Sequence, residues 1–278
     1  MESDKKVLPG AIEIIKQSFS FYKKNHKILI SIALVPFVLY FIQTVFSIFA
    51  PGAMQSMGSS TLLGMGILLI VISITGGIVQ LLTQISMIKS ISELDKGSVL
   101  LSIKEIYKNS YGLFFPYIFV SILLSLCFLS SAIFLIIPAI ILSGYLVFSH
   151  FYLIIENKRG LQALSASFYY VKNNWWNVAV KFVFIALCSM GVTLILFLII
   201  YIVVSLINGS FDFTSFAVNM SEYGAMNAVV SLIFGFIFYC VYTPVITIYS
   251  YLIYKNLKLT KPEPNPEVDF KKSRVWFK

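Results

Sequence analysis

Five long apolar stretches make up most of this chain, and their lengths decide what it can fold into. A hydrocarbon core about 30 Å thick is crossed by about 20 helical residues. Residues 28–50, 62–88, 178–207 and 225–254 each supply one such run. Residues 112–155 supply one about twice as long. That stretch must turn near residues 133–138, giving two spans, 112–134 and 136–155. The expected fold is all-α and integral to a membrane, with six transmembrane helices in three hairpins. Composition agrees: 58% of residues are hydrophobic and 12% charged, about half the charged fraction of an ordinary soluble domain. Pro36, Pro116, Pro138 and Pro244 lie in or beside spans. Each frees a backbone carbonyl that a neighbouring helix has to satisfy. The mostly polar residues 1–27 ahead of the first run make it a retained span rather than a signal peptide.

The 21 basic residues orient these spans. Lys5, Lys6, Lys16, Lys23, Lys24 and Lys27 precede the first span; Lys89, Lys96, Lys104 and Lys108 lie between the second and third. Lys158, Arg159, Lys172 and Lys181 fall between the fourth and fifth or just inside the fifth, and the other seven follow the sixth. The alternate connections, 51–61, 133–138 and 208–224, carry none, and only Asp212 and Glu222 as charges. Cationic loops stay cytoplasmic, so both termini are expected in the cytoplasm, with the chain in the plasma membrane. The net charge of +9 is thus a signal of topology. Spread over four segments, it does not point to a nucleic-acid partner.

A unit repeats along the chain. Ahead of the first span, Ile12, Ile15, Phe19 and Tyr22 form one helical stripe, with Glu13, Lys16, Gln17, Ser20, Lys23 and Lys24 opposite. Ahead of the fifth, Leu161, Leu164, Phe168 and Val171 form the same stripe. An offset of 149 residues superimposes them and aligns Ser18-Phe19 with Ser167-Phe168, Lys23 with Lys172, and Asn25 with Asn174. Ahead of the third, Leu100, Ile103 and Tyr107 form a shorter stripe, with Lys104, Glu105 and Lys108 opposite. Each hairpin is therefore expected to follow a cytoplasmic amphipathic helix lying in the interface, its lysines near anionic headgroups.

The segment from Leu135 to Trp176 carries a recognisable pattern. An apolar span opens with Ile-Pro and ends in a short charged turn; a Gly-Leu-x-Ala-Leu-x-x-Ser helix and Lys-x-Asn-x-Trp follow. Pro138, Glu156, Gly160, Ala163, Leu164, Ser167, Lys172, Asn174 and Trp176 carry it, and Gly10, Ser18, Phe19, Lys23 and Asn25 match more loosely. This resembles the bacterial and archaeal glycerophosphoryl diester phosphodiesterase membrane domain and the related YciC-like proteins. The resemblance implies a six-span domain, sometimes fused to a phosphodiesterase, that brings no catalytic residues of its own. Spans and interfacial helices leave no room for such an enzyme within these 278 residues.

The chemical inventory is sparse. His26 and His150 sit in different units, without a carboxylate three or four residues away. Cys127, Cys188 and Cys240 each lie in an apolar run without metal spacing. Phosphate-loop, zincin and nucleophile-elbow motifs are not found. No cofactor, metal site or enzymatic activity is therefore expected. Glu156 is expected to pair with Lys158 and Arg159 or with the headgroup region. The best intramembrane polar positions are Gln43 in the first span and Gln80, Thr83 and Gln84 in the second; Gln80 and Gln84, four residues apart, form a pair on one helix face. The reading is a membrane scaffold or lipid-interacting protein that contacts anionic headgroups through Lys16, Lys23, Lys24, Lys104, Lys108, Arg159 and Lys172. A protein partner or a second copy is compatible with such a surface. The alternative is a permease or lipid/solute transporter with a path at Gln80 and Gln84. Residues 259–278 form a proline-rich basic tail.

Overall fold

The computed structural model describes residues 8–56, 59–98, 102–134, 136–209, 211 and 224–261. Every element among them is helical. In chain order they are α1 (Ala11–Ser56), α2 (Ser59–Asp95), α3 (Ile103–Ser110), a 3-10 turn, α4 (Phe114–Phe134), α5 (Ile136–Leu146), α6 (Ser149–Glu156), α7 (Leu161–Val171) and α8 (Trp175–Asn208). After these come α9 (Gly224–Ile237), a π turn (Phe238–Tyr242) and α10 (Thr243–Lys258). Six helical stretches are long and apolar enough to cross a membrane: Ala11–Phe46, Leu63–Asp95, Ile103–Ser131, Ile137–Glu156, Trp175–Leu206 and Ala228–Lys258. Each of the six expected spans falls largely within one of them. The expected outer connection 51–61 is corrected: α1 runs on to Ser56 and α2 begins at Ser59. Most of the 208–224 connection, Leu100 and all of the tail beyond Lys261 lie outside the described residues.

The repeated unit has a backbone signature. α1 is two helices joined at Asn25, whose φ of −116° and ψ of 15° are not helical. Asn174, its counterpart 149 residues later, has φ −123° and ψ 18° and separates α7 from α8. This sparsely populated region suits asparagine, whose short polar side chain hydrogen-bonds readily outside the helical ladder. Asn25 Nδ2 donates to the Phe21 carbonyl at 3.0 Å, and Asn174 Nδ2 to Thr260 Oγ1 at 3.4 Å. Gly160 opens α7 with φ +54°, a conformation that favours glycine. A side chain there would also press on the Phe119 ring.

Burial divides the expected stripes, of which Leu164 and Val171 are buried inside the protein. Ile14 and Ser18 are fully buried, as are Ala163 and Ser167 at the same offset. Ile12 and Phe19 point outward instead, and so do Leu161 and Phe168. α3 follows the same rule, with Ile106 and Ser110 buried and Ile103 and Tyr111 exposed. All three segments thus share a buried serine followed by an exposed aromatic residue. The second and third segments pack on the helices before them. Ser86 Oγ of α2 donates to Ser110 Oγ at 2.9 Å. Ser167 Oγ donates to the Tyr145 carbonyl at 2.7 Å and accepts from the Phe148 N–H at 3.2 Å, across the break between α5 and α6. The N-terminal arm of α1 closes the circle on the last helix, through Tyr22 and the Cys240 carbonyl at 2.7 Å.

Two of these bonds answer the proline question. Pro36 and Pro244 have no N–H to offer the carbonyls four residues back, Ile32 and Cys240. Tyr107 donates to the Ile32 carbonyl at 2.9 Å, and Tyr22 to Cys240. The core lies at this end of the bundle, where Ile14, Ile85, Ile106, Tyr152, Tyr170 and Ile248 converge. The most apolar stretch of α8, by contrast, has none of its residues buried inside the protein. That division follows from solvent: acyl chains contact an apolar helix as well as protein does, whereas water drives apolar groups together.

Candidate functional site

Polar and charged side chains gather where the core is densest, and they form an inner and an outer set. The inner set is built by the register of α10. Tyr251 with Lys255, and Tyr254 with Lys258, stand four residues apart and so share a helix face. Each pair grips a carboxylate at the C-terminal end of another helix. Asp95 ends α2 and accepts from Tyr251 at 2.8 Å and from Lys255 at 2.8 and 3.0 Å. Glu156 ends α6: its Oε1 accepts from Tyr254 at 2.6 Å and from Lys258 at 2.9 Å, and its Oε2 pairs with Lys158 at 2.9 Å. A carboxylate at a helix C-terminus faces the negative end of the macrodipole, so neighbouring cations are what make the position tolerable. Aromatic rings wall in the network. Tyr254 meets Tyr152 edge-on with centroids 5.0 Å apart, and Tyr152 stacks on Tyr170 at 5.5 Å. Lys158 Nζ lies 5.5 Å above the Tyr152 ring.

The outer set is the one expected from the sequence. Lys16, Lys23, Lys24, Lys104, Lys108, Arg159 and Lys172 are all exposed. None of them forms an ion pair among the described residues, where the ion pairs are Lys158–Glu156, Lys255–Asp95 and Lys258–Glu156. Glu105 is occupied locally, accepting from the Ser102 N–H and hydroxyl at 3.1 Å, half of a capping box. These seven cations stand on or beside the three short helical segments, next to the outward-facing Ile12, Phe19, Tyr111, Leu161 and Phe168.

Several expected groupings come out differently. Glu156 pairs with Lys158, but Arg159 stays outside the network and Lys258 takes its place. The His150 ring stacks on Tyr117 at 4.2 Å and its Nε2 lies 2.9 Å from Ser121 Oγ. His26 is exposed, with Nδ1 2.9 Å from the Lys23 carbonyl. Gln80 and Gln84 are both half-buried on α2, and Gln80 Oε1 is buried without a hydrogen-bond partner. Gln43 of α1 reaches the same level, beside Gly76. Among the described residues, no three His, Cys, Asp or Glu side chains come together to hold a metal. The Asp95–Tyr251–Lys255 cluster was missed from sequence, although the repeated Tyr-x-x-x-Lys spacing of α10 was there to be read.

A cleft of about 510 Å³ opens between α5 and the turn joining α7 to α8, lined by Ile137, Ile141, Tyr145, Lys172, Asn173 and Trp175 among others. Trp175 fixes the approach of the two helices, its indole N–H donating to the Ile141 carbonyl at 3.0 Å. Gly144 makes room for that ring, since a side chain there would collide with it. No known protein family, curated protein or solved structure matches this chain.

Proposed function

We propose that this chain is a non-catalytic, multi-pass membrane protein whose three short helices form a lipid-contacting collar on the cytoplasmic face of the plasma membrane. On this reading both termini are cytoplasmic, and the six apolar helices pair as three hairpins. The same reading makes the chain a member of the glycerophosphoryl diester phosphodiesterase membrane-domain family, on the residues quoted above. One observation carries the proposal: the cations divide. Those that meet carboxylates lock helix ends together, while the seven on or beside the short segments stay exposed and unpaired among the described residues. Each unpaired lysine or arginine close to an anionic leaflet contributes about 1 kcal/mol to attraction. Exposed rings beside them, Phe19, Tyr111 and Phe168, suit the headgroup level.

The test is spin-labelled lipid in reconstituted bilayers. Phosphatidylglycerol is expected to be immobilised in preference to phosphatidylcholine. The preference should fall when Lys16, Lys23, Lys24, Lys104 and Lys108 become Gln. Equal immobilisation of the two lipids by the unmodified protein would sink the reading. A permease is supported by one observation, the partnerless Gln80 Oε1 facing the interior. An ion or solute flux abolished by Gln80→Leu would favour it.

A further inference from the structure

From the cleft between α5 and the α7–α8 turn, we infer a binding site for one anionic phospholipid, with its phosphate at Lys172 and Asn173 and an acyl chain along Ile141 and Ile137. The inference deepens the collar reading and rests on it. The shape is that of an amphiphile. One wall is the aliphatic face of α5, where Ile137 and Ile141 are exposed. It runs from Tyr145, which packs against Phe168 and Trp175, to Ile137, a distance of about 12 Å along the helix. The opposite rim is polar, made by the Lys172–Asn174 turn at the point where α8 begins its apolar course.

Charge points to the occupant. Two cations, Lys172 and Lys261, stand together beside this rim, and neither pairs with a carboxylate among the described residues. Lys172 is on the rim itself. The Lys261 ammonium sits on the Tyr169 carbonyl at 2.6 Å and over the Tyr169 ring at 5.0 Å, one helical turn before Lys172. Burial, with the charge of Lys172 adding to it, pushes its pKa below the usual lysine range. Like charges held together beside an open cleft repel unless an anion lies among them. A phosphate diester supplies that anion, and its chain covers the aliphatic wall.

The experiment uses the fluorescence of Trp175 and Trp176 in full-length protein carrying Trp276→Phe, reconstituted with brominated lipids. Brominated phosphatidylglycerol should quench at a mole fraction roughly tenfold lower than brominated phosphatidylcholine. Lys172→Gln with Lys261→Gln should move the first curve onto the second, and Lys172→Arg with Lys261→Arg should keep them apart. Coincident curves in the parent protein overturn the inference, and so does a phosphatidylglycerol curve that the Gln pair leaves unmoved. If the two lipid curves coincide while inorganic phosphate alone still changes the Trp175 fluorescence, and the Gln pair removes that change, the site takes free phosphate and the lipid assignment is wrong. The collar test changes neither Lys172 nor Lys261, so failure of the cleft and failure of the collar are told apart.

Discussion

Replacing Glu156 by alanine takes away one carboxylate that holds three donors from two parts of the chain. The side chain is 12% exposed, and its partners Lys158 and Lys258 are each 29% exposed. An exposed ion pair contributes at most about 1 kcal/mol. Breaking a fully buried one costs about 3–5 kcal/mol, because a charge is stranded. Here the two ammonium groups can rehydrate in part, whereas the Tyr254 hydroxyl loses an acceptor inside an aromatic wall. The expected loss lies between those limits, about 2–3 kcal/mol. Lys158→Ala leaves the carboxylate with Lys258 and Tyr254, and should cost under about 1 kcal/mol. Cys240 reports the difference, being fully buried in the same core. With Cys127 and Cys188 changed to Ser, its thiol reacts only when the core opens. Glu156→Ala should speed labelling by a factor of about 30 to 140, since each 1.4 kcal/mol is a factor of ten. A rate within about twofold of the parent, or no greater than that of Lys158→Ala, would refute the claim that Glu156 ties α6 to α10.

Tyr107→Phe should cost about 1–2 kcal/mol by orphaning the Ile32 carbonyl, and Pro36→Ala, which restores an N–H to that carbonyl, should recover part of it; additive effects in the same thiol assay would break the link. Gly235→Ala drives a methyl group into the Tyr40 ring and should cost about 1–3 kcal/mol, relieved by Tyr40→Leu; an unperturbed Gly235→Ala protein would show the packing to be looser than described. Orientation has its own check: an impermeant thiol reagent on intact cells should label Asp212→Cys and spare Ser98→Cys, and the reverse pattern would invert the proposed topology.

The helices long and apolar enough to cross a membrane were legible because apolar length is a one-dimensional property. The Asn25/Asn174 correspondence was legible for a similar reason: both halves keep serine, aromatic, lysine and asparagine at the same spacing. The third unit was harder to align. After Ser110-Tyr111 it has Gly112 and no asparagine at the joint, so its kinship shows only in the buried Ile106 and Ser110. Which half of each apolar stripe faces inward was not legible, because Ile12 and Ile14 are chemically alike and only the packing of α1 on the last helix separates them. Ion pairing between distant segments was equally hidden. Arg159 is three residues from Glu156 in sequence, yet the partner the carboxylate finds is Lys258, brought there by α10. Long-range geometry also decides why Tyr22 and Tyr107 reach the carbonyls left by Pro244 and Pro36. The sequence marks those carbonyls as needing partners without saying which.

The most direct test of the lipid-collar proposal is native mass spectrometry of the protein released from nanodiscs of mixed phosphatidylglycerol and phosphatidylcholine. Discrete bound phosphatidylglycerol is expected, with several copies lost when Lys16, Lys23, Lys24, Lys104 and Lys108 are changed together to Gln. Protein released bare, or retaining the two lipids in the ratio of the nanodisc whatever the lysines are, would contradict it.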